Sequence, residues 1–148
     1  MTETVTVVIE LPWSAPPLSM NDRGASRGAA FAKAAKTREI RETMVALAVH
    51  ENLPQGVSFV TLQLHYQPRD NRRRDTDNLV ATLKPLADAL TPARVLGRKV
   101  TPGYGMIPDD TPVYCAKPEP IIHAPVKGEG GRIWLEITYI IAGKEYVA

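Results

Sequence analysis

The run Arg72-Arg73-Arg74-Asp75-Thr76-Asp77-Asn78 places two carboxylates two residues apart, directly after three guanidinium groups. In a helix, Asp75 and Asp77 would point to nearly opposite sides; in an extended segment they share a face and reach one point. A second acidic pair, Asp109-Asp110, follows just over thirty residues later. Clustered carboxylates repel one another and raise each other's pKa, so they are seldom kept for stability alone. A divalent cation relieves that repulsion. Mg²⁺, with Mn²⁺ as an alternative, takes hard oxygen ligands: one or two carboxylates, water and phosphate oxygens. A metal held by Asp75, Asp77, Asp109 and Asp110 would activate water and neutralise charge on a phosphodiester. Arg72, Arg73 and Arg74 would clamp the phosphates. Simpler readings exist for each part. The aspartates could pair with the adjacent arginines, Pro108-Asp109-Asp110 could be only a turn, and the arginine run could be a solvated face. A calcium loop is excluded, because Val80 and Leu86 stand where glycine and glutamate are needed.

These residues need elements to position them. Val5, Val7, Ile9 and Leu11 alternate, which predicts a strand over 4–11. A loop follows over 14–28, where Arg23 and Arg27 are candidate phosphate contacts. Residues 29–51 read as an amphipathic helix, with Ile40, Met44 and Leu47 at helical spacing. A strand is predicted over 57–67, then a polar, basic stretch to Arg74. After Asp77 the period changes again: Leu79, Leu83, Leu86 and Leu90 predict a helix, kinked or restarted at Pro85. Asp77 or Asn78 stands where it can cap that helix. Residues 91–105 show little pattern and read as a surface insertion, whose Arg94, Arg98 and Lys99 could touch DNA or be only a solvated loop. Short extended pieces at 112–116 and 119–123 precede a glycine turn and a last strand over 132–142. The expected fold is a single α+β domain, residues 1–148: a mixed β-sheet with two main helices packed on it. If the strand after Asp110 pairs near the end of the second strand, the two acidic pairs converge.

Composition narrows the setting. A chain of 148 residues suffices for one domain with its own core. Net charge is only +2, but residues 21–41 hold six basic side chains against two acidic ones, a local field suited to a polyanion. The one cysteine, Cys115, permits no internal disulfide and fits a reducing cytoplasmic setting. No run is long enough to cross a membrane, and the first residues have no basic start or apolar run, so neither a membrane anchor nor a signal peptide is expected. His50, His65 and His123 show no metal-ligand spacing, and His65 reads as structural rather than as a general base. Trp13 reads as a core anchor, and Trp134 as packing on the outer face of the last strand or at a dimer interface.

The segment Arg72 to Leu79, then Lys84-Pro85-Leu86, Asp88-Ala89-Leu90 and Asp109-Asp110, resembles the RusA family of Holliday junction resolvases. Leu11-Pro12-Trp13 through Asn21, and Lys127-Gly128 through Arg132, are similar to that family's opening and closing segments. The resemblance implies a homodimeric, Mg²⁺-dependent endonuclease that resolves four-way DNA junctions by paired nicks; genes of the family are common in phages and prophages. It implies essential carboxylates at Asp75, Asp77 and Asp110, with Asp109 beside them, and a DNA-contacting arginine at Arg74. Family members usually carry a lysine about one turn after the second aspartate. Here that position is Ala81, and Lys84, one turn further, lies on the same helix face. Asn78 joins the DNA-binding candidates. The alternatives are a branched-DNA-binding protein with weak or no catalysis, hinted at by Ala81, and a small phosphohydrolase or metal-binding protein unrelated to DNA.

Overall fold

A computed structural model describes residues 2–18 and 27–142. The elements run β1 (Thr2–Glu10), α1 (Arg27–His50), β2 (Phe59–Gln67), α2 (Asp77–Ala89), β3 (Pro92–Leu96), β4 (Lys99–Tyr104), β5 (Cys115–Ala116), β6 (Ile121–Ile122) and β7 (Arg132–Ala142). The chain folds as an α+β domain around a mixed sheet. β7 is central, pairing antiparallel with β1 on one side and β2 on the other. The two short strands β5 and β6 both pair with β2 in parallel, completing the mixed character.

Alternation sets the faces of this sheet. Ile133, Leu135, Ile137 and Tyr139 of β7 are buried, as are Val60, Leu62 and Leu64 of β2 and Ile9 of β1. Ile40, Met44 and Ala48 form the buried stripe of α1, at the spacing of successive helical turns. Leu79, Leu83 and Leu86 of α2 complete the same core. Trp13 is half-buried against it. The helix α2 runs without a break through Pro85, contrary to the expected kink or restart. Pro85 itself is buried, so the packing of its ring offsets the lost backbone hydrogen bond.

The insertion is better ordered than its sequence suggests. β3 and β4 form a separate antiparallel hairpin, closed at Gly97-Arg98. All of β3 is exposed, so no buried face imposes an alternating pattern there. Arg27 begins α1 rather than lying in a loop, while Arg23 and Asn21 lie outside the described residues. Residues 27–35 of α1 are exposed along their whole length. Among the described residues, no helix is long and apolar enough to cross a membrane.

Candidate functional site

The loop between β2 and α2 carries the arginines, and it is organised around Asp70. Arg74 donates to the Asp70 carboxylate at 2.7 Å, to the Asp70 carbonyl at 2.8 Å and to the Arg72 carbonyl at 3.0 Å. The Arg72 backbone N–H donates to the same carboxylate at 3.2 Å. Arg69 and Arg72 approach its other oxygen at 3.5 and 3.4 Å. The Arg74 hydrogen bond, then that of the Arg72 backbone, holds the Asp70 carboxyl below the usual carboxylate range. The same contact raises the Arg74 pKa. Arg74 also lies over the Tyr66 ring, 5.9 Å from its centroid.

This arrangement decides one question the sequence leaves open. The arginines gather on Asp70, and neither Asp75 nor Asp77 pairs with a basic side chain among the described residues. Asp75 instead accepts the backbone N–H of Asp77 at 3.0 Å, a turn that starts α2. Thr76 occupies the cap position without a capping bond of its own. Its hydroxyl donates to Glu119 Oε1 at 2.6 Å, tying the helix start to the segment before β6.

A cleft of about 970 Å³ opens beside this loop. Arg69, Arg73, Arg74, Asp75 and Asn78 line one side; Ser14, Gly130 and Gly131 line the other. Gly131 is required there, since an added Cβ would sit 1.9 Å from the Ser14 carbonyl oxygen. Arg73 points no ion pair elsewhere among the described residues, so the cleft presents a net positive wall with one carboxylate in it.

The second acidic pair lies elsewhere. The backbone N–H groups of Met106 and Ile107 donate to the Leu90 carbonyl at 2.8 and 3.2 Å, anchoring the preceding segment at the C-terminal end of α2. The strand that follows, β5, pairs with Val60 and Thr61 at the start of β2, not near its end. The pairing on which the expected convergence rests is therefore not the one formed. Asp109 closes a local turn, accepting the Asp110 N–H at 2.8 Å. Asp110 faces Lys84, whose ammonium donates to it at 2.7 Å, and Lys117 at 3.3 Å. Lys84 also meets Asp88 at 3.2 Å, and Asp88 meets Arg41 at 3.7 Å. Burial pushes the Asp110 pKa up, but hydrogen bonding with Lys84 and Asp88 and the charge of Lys117 outweigh it and hold the carboxyl well below its ordinary value. The Asp110 hydrogen bond in turn raises the Lys84 pKa. Cys115, next to this network in sequence, is buried, and its thiol is pushed up to about 11 by burial.

Of the predicted site residues, the structure thus brings together Arg73, Arg74, Asp75 and Asn78 in the cleft, and Lys84 with Asp110 about two helical turns along α2. Among the described residues, no group of three or more His, Cys, Asp or Glu side chains is arranged to hold a metal ion. Asp75 and Asp77 remain a pair of adjacent carboxylates at the helix start, which fits the one or two protein carboxylates Mg²⁺ usually takes beside substrate phosphates. Sequence reasoning missed Asp70, Asp88 and Glu119. Only Asp88 had a local signal, its spacing of four from Lys84.

His65 uses both ring nitrogens inside the protein, facing His123 at 2.9 Å and Glu136 at 2.9 Å. Trp134 stacks parallel to it, with ring planes 2° apart, and Arg132 covers Trp134 at 4.7 Å. This layer packs the outer face of β2 and β7, with both His65 ring nitrogens in hydrogen bonds inside it. No family model matches the chain, and no curated protein matches it.

Proposed function

We propose that the protein is a RusA-like, Mg²⁺-dependent endonuclease that resolves four-way junctions and related branched DNA by paired hydrolysis of phosphodiesters. The observation that carries this reading is the cleft wall: Arg73, without an ion-pair partner among the described residues, and Asn78 stand beside Asp75, while Arg74 and its neighbours satisfy Asp70 rather than Asp75 or Asp77. Arg73 and Arg74 bind backbone phosphates, and Asn78 orients the strand. Asp75 and Asp77 hold the metal, which when bound supplies charge neutralisation on the phosphate and a lowered pKa for water. Lys84 keeps Asp110 ionised and fixed close to the helix. Both lysines meet the same oxygen of Asp110, Oδ2. As a homodimer, two such sites would address opposing strands of a two-fold symmetric junction.

The second reading is a protein that binds branched DNA without cutting it. The engagement of Asp110 by two lysines favours it. Incubating the protein with a labelled synthetic four-way junction, in Mg²⁺ and in EDTA, separates the two. The first reading expects nicks that require Mg²⁺ and fall at least about a hundredfold in Asp75→Asn, the order expected when a metal-holding carboxylate is lost. Junction binding without nicks in any lane supports the second reading.

A further inference from the structure

A second basic groove lies away from the cleft, between α1 and the hairpin. It has a volume of about 540 Å³. Lys33, Arg38 and Arg41 of α1 face Lys99 of β4 across it, and no acidic side chain lines it. Ala30 and Ala34 form the helix side of the floor, where small side chains let a ligand come close to the backbone. Arg41 is held rigid there, with Nη2 donating to the carbonyls of Asp88 and Pro102 at 3.4 and 3.3 Å. Lys33, Arg38 and Lys99 have no ion-pair partner among the described residues. Two acids sit on this part of the helix: Glu42, four residues after Arg38 with no ion pair to it among the described residues, and Glu39, which pairs with Lys36 at 3.1 Å; neither lines the groove. Nine residues from Ala30 at 3.6 per turn put Glu39 roughly half a turn away, on the far side.

We infer that this groove binds the phosphate backbone of a double-helical DNA arm, at a point separate from the cleft. The inference rests on the DNA-directed reading above and adds a second contact to it. Charge is the first argument: three unpaired cations and one anchored guanidinium around a groove without carboxylates select a polyanion. Shape and composition are the second. No aromatic side chain lines the groove, so nothing there stacks unpaired bases. Cations with the Thr101 hydroxyl are the groups that meet sugar-phosphate backbone, the Thr37 hydroxyl donating instead to the Lys33 carbonyl at 2.9 Å. Position is the third. Arg41 places the groove at Asp88, near the end of α2, whereas Asn78 lines the cleft at its start. Ten residues of helix separate them, about 15 Å. One strand in the cleft and one arm in the groove would therefore be gripped at distinct points of the same rigid helix pair.

The test is binding of a fluorescent four-way junction in EDTA, across a range of salt, by wild type and by Lys33→Ala/Arg38→Ala/Lys99→Ala. Each phosphate contact contributes about −0.9 to the slope of log K against log salt. The triple variant is expected to bind at least about tenfold more weakly near physiological salt, with a slope shallower by about 2 to 3. Arg38→Glu alone is expected to weaken binding in the same direction, and thermal melting of both variants should match wild type because the three side chains are exposed. Wild type that binds while both variants bind equally, with unchanged slope, overturns the groove and leaves the DNA reading standing; the groove then fits an acidic protein surface. Wild type that binds no DNA overturns both.

Discussion

Asp110 is the residue whose environment differs most from expectation. It was expected beside Asp75 and Asp77, yet two lysines hold it. Its side chain is only 13% exposed, whereas that of Lys84 is 60% exposed, so solvent screens much of the pair. The pKa of Asp110 is lower in the folded chain than in the unfolded one. Its contribution to stability is therefore fully present above the unfolded value of about 4 and is lost as pH falls through the folded value. Asp110→Asn should cost about 1 kcal/mol at pH 7. Denaturant titrations at several pH values should show that difference shrinking below about pH 4; a constant difference down to pH 2 would contradict the ion-pair origin. The residue types at 72–78 announced a basic loop beside two carboxylates, and their partners did not show. Asp70 precedes the run by only two residues, but its role as the arginines' common acceptor depends on a loop conformation that no periodicity encodes.

At the scale of elements, the long pieces were legible. Alternation marked β1, β2 and β7, and leucine spacing marked α2, because each has one buried face. The hairpin was not, since β3 faces water, β4 is at most half-buried, and neither carries such a pattern. The pairing of β5 and β6 was equally hidden: two-residue ladders leave no repeat, and a parallel register is set by distant contacts. That register seats the strand after Asp110 at the start of β2 rather than near its end. The cleft depends on a different contact, the passage of the Ser14 carbonyl over Gly131. Gly131→Ala should push the two segments apart, cost about 1–3 kcal/mol and weaken junction binding together with stability. Paired melting and binding curves check this; an unchanged melt would mean that the segment moves aside freely.

Across the whole molecule, α2 acts as the spacer. Its start carries the carboxylate pair and the arginine cleft, its middle carries Lys84, and its end carries Asp88 beside the second groove. One rigid element thus sets the distance between the charged features proposed to meet DNA. The sheet's outer layer of Arg132, Trp134, His65 and His123 stands apart from all of them and serves packing.

Cys115 gives this architecture a built-in clock. It is the sole thiol in the chain. It is buried in β5, five residues past Asp110, and its pKa of about 11 leaves almost no thiolate at neutral pH. A thiol-directed label can therefore react only when the β5 edge detaches from β2. The labelling rate at pH 8 should be orders of magnitude below that of the chain in denaturant, and it times how often the Asp110 segment lets go of the sheet. Labelling as fast as in the unfolded chain would mean that the edge is open most of the time. A rate that drops further when junction DNA is added would tie the motion of that edge to DNA binding.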